Sequence, residues 1–131
     1  MRYLPLALTL LSFVAGSAQT SPPAESPFAC DRSALSPAAR KRHFDVLGPS
    51  LRALVRNARE TADGFEFEFP PDLGTFKLVA EWAGGEHLCC PFFDIDLRQE
   101  REAGKLWLRL GGRAGVKQFI RSDFARWFAE R

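Results

Sequence analysis

The sequence predicts an α+β domain, and three patterns carry that prediction. Phe65, Phe67 and Phe69 alternate with Glu66 and Glu68, which is the two-residue period of a half-buried strand. Phe93, Ile95 and Leu97 alternate in the same way, as do Leu106, Leu108 and Leu110 after a short reversal at 101–104. Around these strands, apolar residues recur at spacings of three and four, the period of a helix with one buried face. The expected order is helix, strand, helix, strand, strand, helix. It describes a small three-stranded, mainly antiparallel sheet packed by about three helices.

The elements follow in chain order. Arg2 and the apolar run from Leu4 to Val14 precede the small residues Gly16, Ser17 and Ala18. This is the pattern of a secretory signal peptide over residues 1–18, which places the mature chain in the periplasm or outside the cell. Residues 19–29 hold three prolines and two serines with no periodic apolar pattern, and read as a flexible linker. Residues 30–131 form a single domain. Ser36 before Pro37 is a helix start, a capping hydroxyl followed by proline at the first helical position. Phe44, Leu47, Leu51, Leu54, Val55 and Ala58 then mark one helical face, interrupted by Gly48-Pro49, where a kink or two abutting helices are expected. Asp63-Gly64 is a turn signal before the first strand, and Pro70-Pro71 ends it. A second helix is expected from about Leu73 to Cys89, stopped by Pro91. Its Gly84-Gly85 pair costs about 2 kcal/mol relative to alanines. After the second and third strands, Gly111-Gly112 breaks the chain. Val116, Phe119, Ile120, Phe124 and Trp127 or Phe128 mark a terminal helix.

Composition excludes several function classes. Of 131 residues, 18 are basic and 16 acidic, a net charge of +2, which removes the electrostatic argument for a nucleic-acid partner. No stretch after the leader approaches roughly 18 consecutive apolar residues, so no membrane partner is expected once the signal is cleaved. A protein partner is not specified by any feature of the chain. The segment Gly111-Gly112-Arg113-Ala114-Gly115-Val116-Lys117 has the glycines of a phosphate loop but not the spacing of one.

The densest chemical signal is Glu86-His87-Leu88-Cys89-Cys90-Pro91-Phe92. With Phe76 set to zero and about 100° per residue, Val79 and Ala83 fall near 300° and 340°. Glu86 falls near 280°, inside that apolar arc, whereas Lys77, Glu81 and Gly85 fall on the opposite side. A carboxylate at the centre of a buried stripe is expensive unless it is paired, ligated or protonated. Arg40 and His43, bordering the apolar face of the first helix, are the available partners. An internal ion pair that only fixes packing and a polar site shared by Glu86, His43 and the thiols both remain open. His87, near 20°, reads as a surface residue.

Three cysteines, Cys30, Cys89 and Cys90, leave at least one thiol unpaired within the chain. Adjacent Cα atoms lie about 3.8 Å apart, too close for an unstrained bridge, so Cys89–Cys90 is disfavoured. One alternative is a disulfide from Cys30 to either member of the pair, with one buried thiol left over. The other keeps all three as thiolates around a soft metal ion, for which sulfur donors suit Hg, Cu(I) or Zn. No second C-x-x-C or H-x-x-x-H pair supports a zinc finger. A catalytic thiol is weaker, because a helix C-terminus and a neighbouring carboxylate both raise a thiol pKa. The enzyme question therefore leans towards no.

These residues resemble a family of small uncharacterised bacterial proteins. The resemblance rests on Cys30, Arg40-x-x-His43, Asp63-Gly64-x-x-Phe67-x-Phe69-Pro70, Glu86-x-x-Cys89-Cys90-Pro91-Phe92, Leu106-Trp107-Leu108 and Gly115-Val116-Lys117-x-Phe119. Members read E-R-x-C-C-P-F and L-T-G-x-x-G-V-K, where this chain has His87 and Gly111 instead. The likeness spans most of residues 30–121 and implies an association with resistance to mercury or other heavy metals. Many relatives are cytosolic, so the signal peptide departs from them.

The leading expectation is a secreted or periplasmic domain that binds a soft heavy-metal ion through Cys89, Cys90 and Cys30, with Glu86 and His43 as accessory ligands or orienting groups. A non-catalytic structural or binding domain stapled by a disulfide from Cys30 to Cys89 or Cys90 is the alternative. A thiol redox enzyme comes third.

Overall fold

The computed structural model describes residues 21, 22 and 24–128. The expected signal peptide at 1–18 lies outside the described residues. Residues 24–29 form neither helix nor strand, yet Phe28 is held. Its ring meets Phe92 edge-on at 5.3 Å and stacks on Phe119 at 6.4 Å, and Arg113 sits 4.2 Å over its outer face.

Ser36 caps the first helix through its hydroxyl, which accepts from the Ala39 amide, and Pro37 occupies the first turn. The helical stretch then changes pitch twice. α1 (Pro37–Lys41) widens into a π-helical segment (Arg42–Leu47), which runs into α2 (Gly48–Leu54) with Pro49 in its first turn. Thus the expected kink at Gly48-Pro49 takes the form of a π turn just before it. Its consequence is the buried set His43, Leu47, Leu51 and Val55. Residues four apart drift about 40° per step around an ordinary α-helix, and a wider turn cancels part of that drift.

The sheet has four strands, not three, and this corrects the expected architecture. β1 (Asn57–Glu60) precedes β2 (Gly64–Phe69), and β3 (Asp94–Gln99) and β4 (Leu106–Gly111) complete the order β1-β2-β4-β3, every pair antiparallel. The chain is α+β, but Ala58 belongs to β1 and not to the first helical face. β1 escapes a pattern reading because it is an edge strand, Asn-Ala-Arg-Glu, with three exposed residues and no apolar alternation. Only pairing with β2, from Asn57 opposite Glu68 to Glu60 opposite Phe65, defines it.

α3 (Leu73–Cys89) begins where Asp72 accepts a hydrogen bond from the Thr75 amide. α4 (Val116–Asp123) follows Gly115, whose φ of 99° suits glycine. Phe65, Phe67 and Phe69 lie opposite Leu110, Leu108 and Leu106, so their side chains share one face of the sheet, buried with Val79 and Trp82 of α3 and Ile120 of α4. The other face is charged. Arg59 pairs with Glu66, Lys105 with Glu68, and Arg109 with both Asp63 and Asp96. Trp107 is buried even on this polar face, with the Arg59 guanidinium 4.0 Å over its ring. Among the described residues no helix is long and apolar enough to cross a membrane.

Candidate functional site

The site forms where the C-terminus of α3 meets the start of the helical stretch. Cys90 caps α3, its amide still donating to the Glu86 carbonyl while its backbone leaves helical geometry. The Asp31 amide donates to the Cys89 carbonyl at 2.7 Å, docking the segment before the first helix against the end of α3. Cys30 thereby reaches Cys90 and the two form a disulfide across 60 positions of sequence, with Cα atoms 4.6 Å apart. Cys89 is the free thiol and is fully buried.

Glu86 occupies the inward side of α3 one turn earlier, 3% exposed, and His43 of the π segment is equally buried. His43 Nε2 and Glu86 Oε2 are 2.8 Å apart. Arg40, the other sequence candidate for Glu86, instead donates to the carbonyls of Arg32 and Leu35. Because the π turn rotates His43 inward, its ring stacks on Trp82 at 5.6 Å and meets Phe44 edge-on at 4.7 Å. Its Nδ1 has no hydrogen-bond partner among the described residues. The ring presses on α3 at Gly85, where a Cβ would sit 2.5 Å from Nδ1. Gly85 therefore accounts for one of the two helix glycines, whereas a Cβ at Gly84 would meet nothing within 4 Å. His87 is exposed.

The sulfur atoms and the carboxylate form one cluster. Cys89 Sγ lies 3.7 Å from Cys90 Sγ and donates to Glu86 Oε2 at 3.8 Å. Donor atoms of Cys30, Glu86, Cys89 and Cys90 all lie within 4.8 Å of one another. His43 is not among these four and stands behind the Glu86 carboxylate. Burial first, and the Glu86 charge second, push the Cys89 thiol up to about 12. A thiol so fully protonated at neutral pH is a poor nucleophile, which weighs against thiol catalysis centred on Cys89. A disulfide matches an oxidising compartment outside the cytosol.

A cavity of about 220 Å³ opens beside the cluster. Cys30, His43 and Glu86 line it together with the aromatic rings of Phe44, Trp82, Phe124 and Trp127, and Arg52 and Asp123 contribute a cation and an anion. Periodicity marks Phe124 and Trp127 or Phe128 as core positions, and Phe124 and Trp127 are indeed buried. The 3₁₀ turn at Ala125–Trp127 also sets them on the cavity that His43 lines, which no spacing rule in the sequence signals. Comparisons with known protein families, with curated proteins and with solved structures return no match.

Proposed function

We propose that this chain is an exported domain that binds a soft metal ion through the thiolates of Cys30, Cys89 and Cys90 when the Cys30–Cys90 bond is reduced. One observation carries the reading: three sulfurs and a carboxylate oxygen gathered within 4.8 Å in a buried site. Metal–sulfur bonds of about 2.3 Å at tetrahedral angles place neighbouring sulfurs roughly 3.7 Å apart. Cys89 and Cys90 already stand at 3.7 Å. Glu86 supplies the remaining donor, and His43 holds its carboxylate through the 2.8 Å contact. A sulfur-dominated set favours Hg(II) or Cu(I), with Zn(II) the harder competitor. Membership of the family with the E-x-x-C-C-P-F motif, and its link to heavy-metal resistance, belong to the same proposal.

A second reading has its own observation. The Cys30–Cys90 bond ties the segment before the first helix to the end of α3, as expected of a stapled domain whose cysteines serve only the fold. Titration calorimetry of Hg(II) or Cu(I) into the reduced protein separates the two readings. Tight one-to-one binding, lost in the Cys89→Ser/Cys90→Ser double variant, supports the metal site. Equal affinity in both proteins supports the staple.

A further inference from the structure

The sheet ends on two unlike edges. β1 is four residues long, and Glu60 at its end is held by Lys117 and Arg121 of α4. β3, at the other edge, is six residues long, and among the described residues no strand pairs with its outer side. In an antiparallel ladder, residues that bond the neighbouring strand alternate with residues whose N–H and C=O point away from it. The Glu100 amide donates to the Lys105 carbonyl across the β3–β4 hairpin, so the same register turns Asp94, Asp96 and Arg98 towards β4. Ile95, Leu97 and Gln99 therefore hold their backbone groups outward, and among the described residues nothing bonds to them. A row of this kind is a template for one more strand.

We propose that β3 pairs antiparallel with β3 of a second copy of this chain, joining the two sheets across a two-fold axis at Leu97. Backbone parity restricts the register to pairings among Ile95, Leu97 and Gln99. Charge then selects one of them. With Leu97 on the axis, Asp96 of each copy stands opposite Arg98 of the other on the polar face, and Leu97 meets Leu97 on the core side. Moving the axis one residue either way sets Asp96 against Asp96 or Arg98 against Arg98. Both charges also have partners within their own chain: Arg109 takes Asp96 Oδ2, and Glu100 takes Arg98 Nη1. Asp96 Oδ1 and the remaining guanidinium donors of Arg98 stay available, on side chains 61% and 50% exposed. At the ends of the pairing Asp94 faces Glu100, which is ion-paired with Arg98 and accepts from the Lys105 amide and the Trp107 indole. Neither the cysteine cluster nor a metal takes part, so this pairing stands or falls apart from the metal reading.

One strand edge is a small interface, so the disulfide-bonded, metal-free protein is followed by sedimentation equilibrium and by amide exchange in NMR up to roughly 1 mM. A reversible monomer–dimer equilibrium is expected. As dimer forms, exchange of the Ile95, Leu97 and Gln99 amides should slow at least about fivefold, while the amides of β1 should not change. Two variants test the register. Arg98→Glu sets acid against Asp96, and Asp96→Lys sets base against Arg98, so each alone should dimerise at least about tenfold more weakly than wild type. A one-to-one mixture of the two restores both opposite-charge pairs and should dimerise again. A monomer at every concentration, which is also the result if this edge serves a strand of another protein, would overturn the proposal. So would a dimer whose Ile95, Leu97 and Gln99 amides exchange as in the monomer, or a mixture that associates no better than either variant alone. The amide pattern is read on the wild type, so the test survives a variant that fails to fold.

Discussion

Replacing Glu86 by alanine in the disulfide-bonded, metal-free protein tests the geometry at the heart of the site. The Glu86 and His43 side chains are each 4% exposed and meet through one 2.8 Å contact. Glu86→Ala leaves His43 Nε2 without a partner on a ring whose Nδ1 already has none. Stranding a buried polar group costs about 1–3 kcal/mol, and breaking a buried charge pair by removing one member about 3–5 kcal/mol. Glu86→Ala also removes the acceptor of the neutral Cys89 thiol, and about 3 kcal/mol in all is expected. For a domain of about 100 residues this corresponds to a fall in Tm of roughly 12–15 °C. The control is Glu81→Ala. Glu81 faces solvent from the same helix, its side chain 45% exposed and paired with an Arg42 that is 50% exposed, and its loss should leave the urea midpoint close to that of wild type. Urea unfolding followed by circular dichroism gives both values. If Glu86→Ala unfolds within about 0.5 kcal/mol of wild type, the carboxylate is solvated and the reasoning from helix phase to buried site is wrong.

Other consequences follow from the same packing. Gly85→Ala should destabilise, because its Cβ would stand 2.5 Å from His43 Nδ1, whereas Gly84→Ala should stabilise by about 1 kcal/mol through helix propensity; paired urea curves decide. Cys30→Ser removes a bridge spanning 60 positions and should cost up to about 4 kcal/mol by the loop-entropy estimate, read as a lower urea midpoint than wild type under non-reducing conditions. The Cys89 thiol, raised from an ordinary 9.0 to about 12, stabilises the fold fully below about pH 9. That contribution should be lost as pH rises towards 12, because the unfolded chain ionises first. Thermal melts of wild type and Cys89→Ser across pH 8–11 test this, with the wild type falling more steeply.

The parts of the fold that bury one face were readable in the sequence. Phe65, Phe67 and Phe69 announce β2 because their partners on β4 and the helices above leave only one side wet. The phase of α3 placed Glu86 inward because Val79 and Trp82 fix which side of that helix meets the core. β1 was unreadable, since an exposed edge strand carries no apolar alternation and is defined by its neighbour. The choice between Arg40 and His43 was equally hidden. It depends on the π segment, whose wider turn rotates His43 onto Trp82, and no spacing rule for an ordinary helix anticipates that rotation. Likewise, the choice of Cys90 over Cys89 as partner for Cys30 depends on the chain leaving helical geometry at Cys90, a detail of the cap and not of composition.

X-ray absorption at the metal edge most directly tests the claim that the cysteine cluster is a soft-metal site. The reduced protein, loaded with one equivalent of Hg(II) or Cu(I), should show a first coordination shell dominated by sulfur. That sulfur shell should be depleted in the Cys89→Ser/Cys90→Ser variant. A shell made up mainly of nitrogen and oxygen, or a spectrum unchanged by the double substitution, would contradict the account.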